Sequence, residues 1–95
     1  MALIDFHDVD ELKNRNEALV WAAIEAHFAA NPDTCRCRDC VLDTAALALN
    51  RLPPRYQVYT FHDNSPAGGA AQEAQEAREA VAAASAQVAK RPHHL

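Results

Sequence analysis

Three cysteines within six residues, Cys35, Cys37 and Cys40, run directly into an apolar helical pattern that Pro53 and Pro54 stop. No other stretch constrains the fold as much, because three crowded thiols cannot close into a disulfide set and a proline pair cannot continue a helix. Their crowding points to a reducing compartment and to thiolate chemistry. Zinc takes four nitrogen or sulfur ligands in a tetrahedron, often from a loop with short spacing between ligands. Cys35, Cys37 and Cys40 supply three, and Cys40 falls at a helix start, where backbone amides and the helix dipole favour a thiolate. The expected cofactor is a structural Zn2+.

The spacing does not name the fourth ligand. His94 is the first choice and His93 the second, because both follow a long helix that can return to the loop; His27, His62, His7 and a water are the alternatives. A water there would make the metal catalytic. Asp39 and Asp43 are close in sequence, yet one serves as a helix cap and the other as an acceptor for an arginine or a ligand. No metalloprotease, hydrolase, phosphate-loop or dinucleotide motif accompanies them. The expectation is a protein that is not an enzyme.

A chain of 95 residues is one small domain, residues 1–95, and its core needs support. Residues 1–8 read as a lead-in, 62–69 as a hinge containing Gly68 and Gly69, and 91–95 as a tail. Much of the 49% hydrophobic content is alanine, so the helix interfaces should be close and thin. Small domains of this kind add a metal, disulfides or a partner subunit. Both a metal and a homodimer are therefore expected. The start carries no signal-peptide pattern and no apolar run approaches a membrane span, which places the expected protein in the cytoplasm and away from the membrane.

Three helices are expected. Leu12, Leu19, Ala23, Ile24 and Phe28 mark a first from Val9 to about Ala29, capped by Asp8 or Asp10 and ended at Asn31-Pro32. Asn14, Asn16 and Glu17 interrupt it, either as a solvated flank or, for Asn14 or Glu17, as a contact to a polar partner. Trp21 lies off the stripe, as an interface anchor or a core-edge side chain. The second helix starts near Cys40 with Asp39 as its cap, and buries Leu42, Ala45, Ala46 and Leu49 flanked by Val41, Ala48 and Leu52. The third covers Ala70 to Lys90, with Ala74, Ala77, Val81, Ala84 and Val88 on one face. Tyr56 to Phe61 has the composition of one short strand, which must pair across a dimer or with another short segment.

The formal charge of −4 disfavours nucleic acid and anionic membranes as partners. Residues 35–56 nevertheless hold Arg36, Arg38, Arg51 and Arg55 against Asp39 and Asp43, a basic island of +2 in an acidic chain.

The order Asn14-x-x-Glu17-x-x-Val20, followed by Cys35-x-Cys37-x-x-Cys40-x-x-Asp43-x-x-Ala46-Leu47-Ala48-Leu49-Asn50-x-Leu52-Pro53-Pro54-x-Tyr56, resembles the late competence development ComFB family. The resemblance implies a small, mostly helical bacterial protein that forms a tight homodimer and binds zinc through its cysteine cluster. It also implies signalling rather than catalysis, since some members have been described as receptors for cyclic dinucleotides, chiefly cyclic di-GMP. Members can complete the zinc site with a late fourth cysteine, and this chain has none, which favours a terminal histidine. A cyclic dinucleotide gives the basic island a physical reading. Arg51, Arg55, Arg36 and Arg38 suit its phosphates, Asp39 or Asp43 a guanine edge, and Tyr56 stacking on a base. The expected protein is thus mostly α, a three-helix zinc-containing domain with one short strand, homodimeric, that signals to a downstream protein. The alternative is a zinc-containing interaction or competence-related regulatory module with no small-molecule ligand.

Overall fold

The computed structural model describes residues 2–58 and 70–91. After two short 3-10 turns, Leu3–Asp5 and Val9–Glu11, the chain forms a strand β1 (Leu12–Asn14) and a helix α1 (Asn16–Ala30). Helix α2 (Arg38–Arg51) follows the cysteine loop, then strand β2 (Tyr56–Val58) and helix α3 (Ala70–Lys90). The fold is mostly helical, with a two-stranded sheet beside three helices.

The first helix begins seven residues later than its periodicity predicts, at Asn16 instead of Val9. The cause is β2, whose backbone groups need a partner. Leu12, Lys13 and Asn14 provide it, pairing antiparallel with Val58, Gln57 and Tyr56. The expected single strand thus finds its partner inside the chain. Asp8 caps the second 3-10 turn by accepting the Asp10 amide at 3.1 Å. The remaining residues of the expected strand, 59–61, lie outside the described residues, as does the expected hinge at 62–69.

Val20, Ala23, Ile24 and Phe28 of α1 are buried at helical spacing. They meet Ala77, Ala80, Val81 and Ala84 of α3 in one core cluster with Ala45 and Ala48 of α2. Alanines at the crossings let helix backbones approach closely, so the core is thin, as the composition predicts. The apolar face of α3 also follows its sequence pattern, with Val88 buried at its far end.

Helix α2 turns a rotated face inward. Of the expected face only Ala45 is buried, beside Cys40, Thr44 and Ala48, whereas Leu42 and Ala46 are exposed and Leu49 is half-buried. Small residues face α3, and Val41, Leu47, Leu49 and Leu52 pack at the margins. The Thr44 hydroxyl is satisfied by donating to the Cys40 carbonyl at 2.7 Å.

The corner at Pro53-Pro54 is held from a distance. Asn16, fully buried, donates from Nδ2 to the Pro53 carbonyl at 2.7 Å and accepts at Oδ1 from Arg55 Nη1 at 2.7 Å. Asn14 Oδ1 accepts both the Asn16 and the Arg55 amides. What read as a solvated flank is the joint between α1, the corner and the sheet. Glu17 is exposed.

Candidate metal centre

The cysteine loop connects α1 to α2 and is fixed at both ends. Arg36 reaches back to donate from Nη2 to the carbonyl of Phe28 at the C-terminal end of α1, which also accepts the Asn31 amide at 3.3 Å. Cys37 is the N-cap of α2, its Sγ accepting the Cys40 amide at 3.4 Å. A cysteine therefore does what the sequence assigns to Asp39. Asp39 instead occupies the first turn, where a negative charge meets the positive helix end, and pairs with Arg38 at 3.3 Å.

The ligand atoms of Cys35, Cys37 and Cys40 all lie within 4.8 Å of one another, and none is in a disulfide. A zinc ion with Zn–S bonds of about 2.3 Å sets tetrahedral sulfurs roughly 3.8 Å apart. The triad therefore fits a metal with a small contraction. Cys35 is exposed, Cys37 half-buried and Cys40 buried, so the cluster runs from solvent to the core. Burial pushes the Cys40 thiol up, to about 12, and hydrogen bonds to Cys37 and Cys35 add to the effect. The Cys37 thiol moves down, chiefly because the Cys40 amide donates to its sulfur. Metal charge reverses such a penalty by holding coordinated thiols as thiolates.

Beside the triad lies a groove of about 620 Å³ whose wall includes Cys35, Cys40, His27, Ser85, Val88 and Ala89. The end of α3 thus borders the cysteine loop. His27 faces the same groove but is not part of the sulfur cluster. His62, His93 and His94 lie outside the described residues, and His7 is exposed in the lead-in.

A family model for the late competence development protein ComFB matches residues 13–92. The chain belongs to the ComFB family. No curated protein and no solved structure matches it. The ComFB match spans all three helices, the sheet except Leu12, and the cysteine cluster, so the candidate metal loop lies inside the family domain. Among the described residues no helix is long and apolar enough to cross a membrane.

The remaining candidate residues divide between the two ends of α2. Arg36, Arg38, Asp39 and the half-buried Asp43 belong to the cysteine end. Arg51, Arg55 and Tyr56 belong to the proline end, roughly 20 Å away at 1.5 Å per helical residue. One subunit does not bring the two sets together. Arg51 lies in the last turn of α2 beside a shallow depression lined by Pro53, Glu76 and Glu79. Tyr56 is 64% exposed. Arg55 is engaged within the chain, its Nη2 lying 2.6 Å from Glu76.

Sequence reading missed four members of this second cluster: Arg15, Asn16, Glu73 and Glu76. The signal available was Glu73 and Glu76 at a three-residue spacing, which puts both on one helix face. Arg15, between two asparagines, was the other.

Proposed function

We propose that this ComFB-family protein is a zinc-stabilised homodimeric receptor for a cyclic dinucleotide, cyclic di-GMP, which signals to another protein and catalyses no reaction. The observation that carries the metal part is the sulfur triad at the start of α2, which fits a tetrahedral thiolate site. Cys35, Cys37 and Cys40 would hold the ion and His94 would close it. The closure is supported by Val88 and Ala89 lining the same groove as Cys35 and Cys40. When bound, zinc supplies a fixed cross-link and no step of chemistry. The loop residues orient α2, and Cys40 carries that orientation into the core.

The ligand part rests on family membership and on the proline corner. Arg51 and Tyr56 are exposed there, a guanidinium for a phosphate and a ring for a base. A homodimer with a two-fold axis presents each residue twice, which matches a ligand with two phosphates and two guanines. The subunit contact fits the apolar surface of the sheet and lead-in. Leu12 and Val58 are directly opposed in register and both exposed, with Leu3, Ile4, Phe6 and Val9 exposed in the preceding segment.

Calorimetric titration of cyclic di-GMP and cyclic di-AMP into the metal-loaded protein tests the reading. Micromolar binding lost in Arg51→Ala is expected, and no heat with either nucleotide would exclude the receptor. The same exposed apolar surface favours a second reading, an interaction module without a small ligand. That reading predicts a dimer by sedimentation together with silent titrations.

A further inference from the structure

The guanidiniums of Arg15 and Arg55 converge on one carboxylate. Arg15 meets Glu73 through two parallel hydrogen bonds, Nε to Oε1 at 3.1 Å and Nη2 to Oε2 at 2.8 Å. Arg55 Nε lies 4.0 Å from the same Oε1, and its Nη2 lies 2.6 Å from Glu76. The four side chains are between 13% and 34% exposed. They sit on three separate parts of the chain, namely the start of α1, the proline corner and the first turns of α3.

Each arginine also has a neutral acceptor that does not belong to α3. Asn16 Oδ1 accepts from Arg55 Nη1 at 2.7 Å, and Gln57 Oε1 accepts from Arg15 Nη1 at 3.4 Å. Each guanidinium thus has one partner that a departing glutamate would leave behind, and such support is what a preorganised anion site requires. The arginine fork accepts a carboxylate or a phosphate with the same two-bond geometry. Partly buried ion pairs are near break-even against solvation. Exchanging two carboxylates for two phosphodiester charges therefore keeps both arginines paired and returns both glutamates to water.

We infer that Arg15 and Arg55 form a binding site for a phosphodiester dianion, and that Glu73 and Glu76 occupy it internally until such a ligand displaces them. The inference rests on the receptor reading for the identity of its ligand and adds Arg15 and a gate to that site. Displacement frees only the first turns of α3, because Ala77, Val81 and Ala84 are fully buried and anchor the rest of the helix. The freed turns are the part of the molecule that would report occupancy to a partner protein.

The test titrates cyclic di-GMP into the full-length metal-loaded protein and into Glu73→Gln/Glu76→Gln, and follows amide hydrogen exchange over residues 71–77 with and without ligand. The expected result is binding to the double variant tighter by about fivefold or more, the lower range of a coupling between linked events. Ligand should also speed exchange over residues 71–77 of the unsubstituted protein. If both proteins bind equally, or the variant binds more weakly, the gate is overturned and the receptor reading stands. Binding to the variant alone would support the gate and overturn the receptor reading for the unsubstituted chain. Binding to neither would overturn both. Should the variant fail to fold, the exchange measurement decides alone, and ligand-induced protection of residues 71–77 overturns the gate.

Discussion

The two ends of α2 are built on opposite plans. The first is made from neighbours in sequence. Cys37 caps the helix, Cys40 enters the core three residues later, and Cys35 completes the sulfur triad from the same loop. The second end is made from residues far apart. Arg55 bonds Asn16 across 39 residues, and Arg15 bonds Glu73 across 58. A short-range device can be strengthened by one ion, whereas a long-range one depends on every helix being docked. On the function proposed above, the metal end would govern whether the domain folds, and the arginine end would be where a ligand changes its shape.

Removing the cysteine end should cost most. Cys40→Ser breaks the triad and puts a hydroxyl among buried atoms, and loss of a metal site belongs to the few changes that exceed about 4 kcal/mol. Denaturant unfolding in the presence and absence of a strong chelator checks it. Chelation should destabilise the unsubstituted protein strongly and the variant hardly at all. If both respond equally, the metal is not held by this loop.

Arg55→Ala ranks next. It strands the half-buried Glu76 and leaves Oδ1 of the fully buried Asn16 without its donor, and with Arg55 and Glu76 partly exposed a loss of about 2 kcal/mol is expected, below the 3–5 kcal/mol of a fully buried pair. Arg38→Ala is the internal control at the other end. Its side chain is 82% exposed, so its removal should fall within about 0.5 kcal/mol of no effect. Equal effects for the two arginines would erase the distinction between the ends.

Acidity should also separate them. Metal binding requires three thiolates, so affinity at the cysteine end should fall steadily as pH falls and protons compete for the sulfurs. In the metal-free protein the sign for Cys40 is reversed. A thiol raised to about 12 stabilises the fold fully below its ordinary value near 9, and that contribution is lost as pH rises through this window. Cys37, shifted down, acts the other way, and its contribution is lost as pH falls through its lowered value. Zinc titrations at several pH values, beside unfolding of the metal-free chain, would expose both trends. A metal affinity that does not change with pH would exclude thiolate ligation.

The difference in range also explains how much was legible in the sequence. The cysteine cluster, the proline stop and the buried face of α3 all depend on spacings of a few residues, and each appears where the pattern puts it. β1 was hidden because Leu12 fits the helical period of Leu19 and Ile24, and only its pairing with Val58 decides against helix. The inward face of α2 was misread for a related reason. Leucines dominate any one-dimensional pattern, while a helix packed closely on the alanines of α3 keeps Ala45 of the expected face and adds Ala48 in place of Leu42. The Arg15–Glu73 and Arg55–Glu76 pairs left only the glutamate spacing and an arginine between two asparagines as local signals, and neither names a partner, since each residue alone looks like a solvated charge.

The claim on which the rest depends is that Cys35, Cys37 and Cys40 together hold a metal ion at the start of α2. Cobalt titration of the reduced, metal-free protein tests it most directly. The account predicts one ion per chain, absorption bands of tetrahedral thiolate coordination, and displacement by one equivalent of zinc with loss of those bands. A spectrum showing octahedral cobalt without thiolate charge transfer, or no binding at all, would contradict it.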